Sequence, residues 1–278
     1  MSLIMDHAYS NAFIFGYERM AAWSDLLDQI NVFPVPDADT GRNLKISLAA
    51  LRQLGERPEG VSHQILRAAN GNSGNIAAAF IHELLKINGA AALADAIQQG
   101  VRMANKAVAE PKPGTMLTLF EVLAQAVPSF EKPLPELDLE TIIGLLEKCV
   151  GDTSDTLPEL RQAGVVDAGA LGMFIFLESF LDCLMGRMNH SRPVTDRFKG
   201  KLKIANGWQP QGRQEQYCVS AVIRPERAEG QRILADCGES LVVNEAPGIL
   251  KVHSHTDDCE AIHSELRKVG QVLEWSEE

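Results

Sequence analysis

The spacing of apolar residues changes once along this chain, and that change restricts the available folds more than any other feature. Up to about position 188 the large apolar side chains recur at helical intervals, and beyond about position 215 they alternate. Between Asp6 and Gln29, Ala8, Ala12, Phe15, Met20 and Leu26 or Leu27 fall near one stripe, which predicts a helix that stops at Asn31. Phe33-Pro34 and Val35-Pro36 then force extended backbone, because a proline ring clashes with a preceding helical residue. Leu44, Leu48, Leu51 and Leu54 resume a helix after Gly41, and further helices are expected near 74–87, 90–108, 115–127, 138–150, 155–163 and 168–187. About eight helices and no alternating stretch predict an all-α domain over 1–188.

Residues 189–214, rich in Pro, Gly, Asn and Gln, read as a linker. In 215–278 the pattern predicts strands at Tyr217–Ile223, Ser240–Val243, Ile249–His253 and Gln271–Trp275, with helices at 226–236 and 257–268. The order βαββαβ predicts an α+β, ferredoxin-like sandwich. A length of 278 residues suits two such domains.

The formal net charge of -11 argues against a nucleic-acid partner, since phosphate neutralisation needs a surplus of basic residues. One basic run stands apart, Arg187, Arg192, Arg197, Lys199, Lys201 and Lys203, which reads as a solvated linker or as a docking surface for an acidic partner. The sequence holds no apolar run long enough to span a membrane. With no export signal at the N-terminus and cysteines at 149, 183, 218, 237 and 259 forming no compact framework, a reducing cytoplasm is expected.

Pro36-Asp37-Ala38-Asp39-Thr40-Gly41-Arg42-Asn43 places two carboxylates two residues apart where a loop enters a helix, a geometry that can aim both at one hard cation. An EF-hand is excluded, because counting from Asp37 the sixth and twelfth positions hold Arg42 and Leu48. The competing structural role for Asp39 or Thr40 is to cap the following helix. Asn70-Gly71-Asn72-Ser73-Gly74-Asn75 opens a second helix, and small residues at a helix N-terminus admit an anion to the backbone N–H groups. No Gly-Lys-Ser/Thr follows, so this is not a Walker loop. Pro113-Gly114-Thr115-Met116-Leu117-Thr118 begins another helix, and Asp167 is the expected cap of the helix after Gly164. Four such polar or glycine-rich helix starts predict a barrel of helices with a ligand at one open end.

These segments, together with Leu157–Gly169, resemble the dihydroxyacetone-kinase-type nucleotide-binding family, and more closely the large subunit of bacterial fatty-acid kinase. The resemblance implies an eight-helix barrel in which Asp37 and Asp39 hold two Mg²⁺ ions against ATP or ADP. It also implies nucleotide contacts from Asn31, Thr40, Gly41, Asn43, Gly71, Asn72, Ser73, Gly74, Thr115, Met116, Asp167 and Gly169. The family usually carries Gly at position 38, Thr at 42, Met at 44 and Arg at 70, where this chain has Ala38, Arg42, Leu44 and Asn70.

Gly238–Val243 and Leu250–Thr256 are similar to the middle domain of that large subunit, where a Cys and two His bind zinc, which implies Zn²⁺ on Cys218, His253 and His255. Strand periodicity agrees, since His253 and His255 share a face and the first strand should lie beside the histidine strand. Cys259 or Asp257 is a candidate fourth ligand. The implied activity is ATP-dependent phosphorylation of a fatty-acid carboxylate presented by a separate lipid-binding protein. A dihydroxyacetone-type kinase and a non-catalytic nucleotide-binding regulator are the alternatives. Larger members of the family carry a further C-terminal domain, and self-association into a homodimer is left open.

Overall fold

A computed structural model describes residues 7–87, 92–127, 138–187, 192–209, 217–226, 239–246 and 248–277. The first expected helix is two, α1 (His7–Ala22) and α2 (Ser24–Gln29), broken at Trp23. The apolar face of α1 is also rotated from the expected stripe: Phe13 and Tyr17 are buried, whereas Ala8 is exposed and Phe15 half-buried. The larger rings win the interior, and Phe13 packs on Phe180 at 4.8 Å between centroids.

The expected helix through Leu54 is α3 (Thr40–Leu48) followed by a 3-10 helix (Ala49–Gly55). Next comes α4 (Val61–Ala68), a short helix that the sequence pattern does not predict. The remaining helices are α5 (Gly71–Leu84), α6 (Leu93–Ala107), α7 (Met116–Ala126), α8 (Leu139–Thr156), α9 (Pro158–Ala163) and α10 (Ala168–Leu184). The expected break after residue 150 falls later, because α8 continues to Thr156 and Pro158 opens α9 at its first position, where a missing N–H costs nothing. In contact order α1, α3, α5, α6, α7, α8 and α10 form a ring, each touching the next and α10 returning to α1. Nearly all of α10 is buried, and Phe80 of α5 stacks on Phe120 of α7 at 3.8 Å.

The segment expected as a linker, in its described part 192–209, packs on the helices rather than running through solvent. Its α11 (Val194–Arg197) buries Val194, and Phe198 meets Phe174 edge-on. Arg197 pairs with the buried Glu178 and, at 2.7 Å, with Glu147. Arg192, Arg187 and Lys201 also find acids, Glu147, Glu140 and Asp155. Much of the basic run is therefore neutralised within the chain.

Four strands, β1 (Tyr217–Pro225), β2 (Glu239–Ala246), β3 (Ile249–Thr256) and β4 (Gly270–Glu277), form an antiparallel sheet in the order β2-β3-β1-β4. The histidine strand β3 lies beside β1, as expected, with His255 opposite Cys218 and His253 opposite Ser220. Helix α12 (Cys259–Val269), capped by Asp258, covers one face through Ile262 and Leu266, packed against Leu250 and Val252. The helix expected at 226–236 lies outside the described residues. Alternation sends His253, His255 and Lys251 to the opposite face, which meets the helical domain. Several contacts fasten that junction, among them these. Asn244 donates to Asn75 O and Oδ1 at 3.0 and 2.9 Å, Lys251 donates to Arg67 O at 2.8 Å, and Ala109 N donates to Leu241 O at 3.1 Å.

Candidate functional site

The proline-containing stretch leaves Asn31–Asp39 non-helical, with a cis Phe33–Pro34 peptide. Ala38 adopts φ 55, a left-handed conformation that glycine reaches without steric cost, which gives a physical reason for the glycine of the resembling family here. The turn at Ala38 carries Asp37 and Asp39 to the same cavity. Asp39 occupies the cap position of α3, yet its side chain makes no capping bond. Asp28 at the end of α2 caps the helix instead: its Oδ1 accepts from Gly41 N at 2.7 Å and Arg42 N at 3.1 Å. Asp39 is thereby released from the structural role that competes with metal binding. The approach of α2 depends on Gly41, since a Cβ there would sit 2.0 Å from Ser24 O.

The two carboxylates have opposite tendencies. Burial and the neighbouring Asp37 charge push Asp39 up to about 6, against the pull of Asn43 and Arg42. Burial also pushes Asp37 upward, but His255 and Asp39 outweigh it and hold its carboxyl below the ordinary value. Asn31 Nδ2 donates to Asp37 Oδ1 at 2.5 Å. Two close acids of which one resists ionisation form a site that a cation would complete.

The second glycine-rich segment is locked to the first. Gly71 has φ 61, and a Cβ on it would lie 2.0 Å from Asn43 Nδ2, so only glycine fits. Asn70 donates from Nδ2 to Asn43 Oδ1 at 2.8 Å and from its backbone N to Ser47 Oγ at 2.9 Å. Gly74 lets α5 approach α3, with a notional Cβ 2.1 Å from Ser47 Oγ. The N-termini of α3 and α5 thus meet at the cavity, where their dipoles favour an anion. Asn72 Oδ1 and Asn31 Oδ1 are buried there without a partner among the described residues.

The far wall comes from later helices. Thr115 caps α7 by accepting from Leu117 N, and Asp167 caps α10 by accepting from Ala170 N at 2.7 Å. Gly169 packs closely against Met116, whose Cε would lie 2.6 Å from a Cβ at that position. Burial pushes Asp167 up to about 7, partly offset by hydrogen bonds from the Ala170 and Met116 backbones.

The second domain closes the remaining side with Leu241, Val242, His253 and His255. Cys218, His253 and His255 present ligand atoms within 4.8 Å of one another, and Cys218 Sγ stands 4.0 Å from His253 Nδ1. Ser220 Oγ lies 3.1 Å from the same nitrogen. His253 Nε2 and His255 Nδ1 are buried without partners among the described residues, and desolvation together with His255 lowers His253 to about 3, so its ring is neutral and able to bind metal. Toward the first domain, His255 Nε2 stands 3.8 Å from Asp37 Oδ2.

Together these walls enclose about 510 Å³. Of the residues expected to bind nucleotide or metal, Asn31, Asp37, Asp39, Thr40, Asn43, Gly71, Asn72, Ser73, Thr115, Met116, Asp167, Gly169, His253 and His255 line it. Gly41 and Gly74 stand behind it as close-approach glycines, and Cys218 lies behind the histidines. Arg42 is exposed, and its nearest structural role is the backbone N–H held by Asp28. Sequence patterns alone do not single out Asp28, Lys112, Glu159 or the Asn75–Asn244 lock.

A model of the DAK2 domain matches residues 34–182, more than half of the chain, and the chain belongs to that family. A second model, the FakA-like middle domain of fatty acid kinase, matches residues 214–276 and assigns the sheet to that type. Among curated proteins, uncharacterized proteins of Staphylococcus aureus strains MRSA252 and USA300 are 28% identical over 313 aligned positions, covering 98% of this chain and 55% of theirs. The chain therefore spans about half the length of the curated relatives it matches.

Proposed function

We propose that this chain is the ATP-binding component of a phosphotransferase, passing the terminal phosphoryl group of Mg–ATP to a fatty-acid carboxylate presented by a lipid-binding partner and yielding an acyl phosphate. The observation that carries this reading is the capping of α3 by Asp28, which leaves Asp37 and Asp39 facing the Gly71 turn across one cavity. The helix ring supports a barrel with its ligand at one end, and the strand order supports a ferredoxin-like second domain.

The donor sets fit the ions of that reading. Asp37 and Asp39 are hard oxygen ligands suited to Mg²⁺, and Cys218, His253 and His255 suit Zn²⁺ with a fourth position left for another ligand. When bound, magnesium supplies charge neutralisation at the phosphates. The chain's own groups do the positioning. Backbone N–H groups at the start of α5 receive phosphate oxygens, Asn72 and Asn31 offer buried acceptors to ordered water or to ribose, and the Thr115–Asp167 wall encloses the nucleoside. An acceptor carboxylate is already nucleophilic, so no side chain has to take a proton from it.

Calorimetric titration with ADP and Mg²⁺ tests the reading. Binding by the unmodified chain and its loss in Asp37→Ala are expected, and tight Mg-dependent binding retained by Asp37→Ala removes the ion-holding role. ATP turnover with a fatty-acid-loaded lipid-binding protein, compared with dihydroxyacetone, identifies the acceptor.

A further inference from the structure

We infer that His255 is a positioning residue that ties the second domain to the cation site of the first, one ring nitrogen serving the Cys218–His253 cluster while the other orients Asp37. The inference rests on the proposed Mg–nucleotide site. Its own support is geometric. His255 Nε2 stands 3.8 Å from Asp37 Oδ2, an ion-pair distance longer than a hydrogen bond, across the junction between the domains. The other nitrogen, Nδ1, is buried and has no partner among the described residues, on a side chain whose neighbours include Cys218 and His253. An imidazole with one nitrogen toward a carboxylate and the other orphaned in a Cys/His cluster has the arrangement of a metal-ligating histidine whose second nitrogen is held by an acid.

Asp37 is then gripped from two domains. Asn31 donates to Oδ1 from the helical side, and His255 faces Oδ2 from the sheet. The two elements are joined close to the site, where Asn244 is buried with two bonds to Asn75, four residues after Gly71. Zinc in the Cys218–His253–His255 cluster fixes the His255 ring, and the ring fixes the carboxylate. By linkage, the two ions bind cooperatively although no ligand is shared.

The discriminating variant is His255→Cys, which keeps a thiolate for zinc and removes the nitrogen that faces Asp37. With zinc content checked by metal analysis, the variant is expected to hold zinc and to bind Mg–ADP about tenfold more weakly, the low end of the loss seen when a ligand's outer partner is removed. Unchanged Mg–ADP affinity in the zinc-loaded variant overturns the inference. A second measurement uses the unmodified full chain and decides the matter even if the variant loses zinc. Zinc affinity is measured by competition with a chelator, with and without saturating Mg–ADP, and Mg–ADP affinity with and without zinc. Equal factors of severalfold in both directions are expected, and no change in either overturns the inference. Failure of the unmodified, zinc-loaded chain to bind Mg–ADP at all overturns the proposed function instead, so the two outcomes are separable.

Discussion

Replacing Asp28 with alanine probes the arrangement on which the site depends. Asp28 Oδ1 accepts from the N–H groups of Gly41 and Arg42, the second and third residues of α3, which are the donors a capping side chain normally satisfies. Loss of such a cap costs about 0.5–2 kcal/mol, and loss of a negative charge at a helix N-terminus costs about 0.3–1 kcal/mol more. A total of about 2 kcal/mol corresponds to a fall of about 4–8 °C in thermal midpoint for a domain of this size. Asp28→Asn, which keeps an acceptor, should recover most of it. The second consequence concerns function. With Asp28 gone, the Asp39 carboxylate at the cap position is available to those N–H groups, and once it turns to them Mg²⁺ affinity falls. Differential scanning fluorimetry with and without Mg–ADP reads both effects. Asp39→Ala should behave oppositely, leaving the metal-free protein at least as stable at pH 7, because a buried carboxyl held up at about 6 opposes folding when ionised. If Asp39→Ala destabilises as much as Asp28→Ala, Asp39 is a cap and the reasoning fails.

Ala38→Gly should raise stability by about 1 kcal/mol in urea unfolding, since Ala38 stands at φ 55, where a non-glycine residue is strained. Arg197→Met removes the partner of Glu178, whose side chain is 1% exposed, and should cost about 3–5 kcal/mol in the same assay by leaving a buried carboxylate unpaired. Asp167 has a folded value raised to about 7, so the native state holds its proton over a range where the unfolded chain has released it, and stability falls as pH rises from about 4 to 7. Asp167→Asn keeps an acceptor for Ala170 N and should flatten that slope, gaining over the unmodified chain at pH 8 and gaining nothing at pH 4 in unfolding titrations.

Much of the helical half is legible in the sequence because its signals are local. Prolines at 34 and 36 stop a helix, Thr115 and Asp167 cap helices a few residues downstream, and Gly71 marks a left-handed start. Boundaries fail where the deciding partner is distant. The break at Trp23 makes room for Gly41 against Ser24, and the rotated face of α1 is chosen by Phe176 and Phe180 more than a hundred residues away. Composition makes residues 189–214 look like a linker, yet Val194 and Phe198 are buried and Arg197 is held by Glu178. Leu202, Ile204 and Trp208 also pack on the helical core, so a few apolar residues among many polar ones dock the segment alongside the Arg197–Glu178 pair.

The site divides along the same line. Each half-site is visible by itself, two carboxylates two apart and two histidines two apart, because periodicity places such pairs on one face. Their convergence is not visible, since nothing local to residues 37–39 refers to residues 253–255. It follows from long-range contacts that include Asn244 on Asn75, Lys251 on Arg67, Lys106 on Glu245 and the Ala109 amide on Leu241. These set the sheet's histidine face against the N-termini of α3 and α5, so the cavity is built by both domains. A chain that only stored a zinc-stapled sheet beside a kinase-type helical domain would have no reason to bury Asn244 at the seam, where an unsatisfied amide costs about 1–3 kcal/mol. With both bonds to Asn75 made, that amide is specific in register, and it helps to hold the sheet where His255 faces Asp37 of the helical domain.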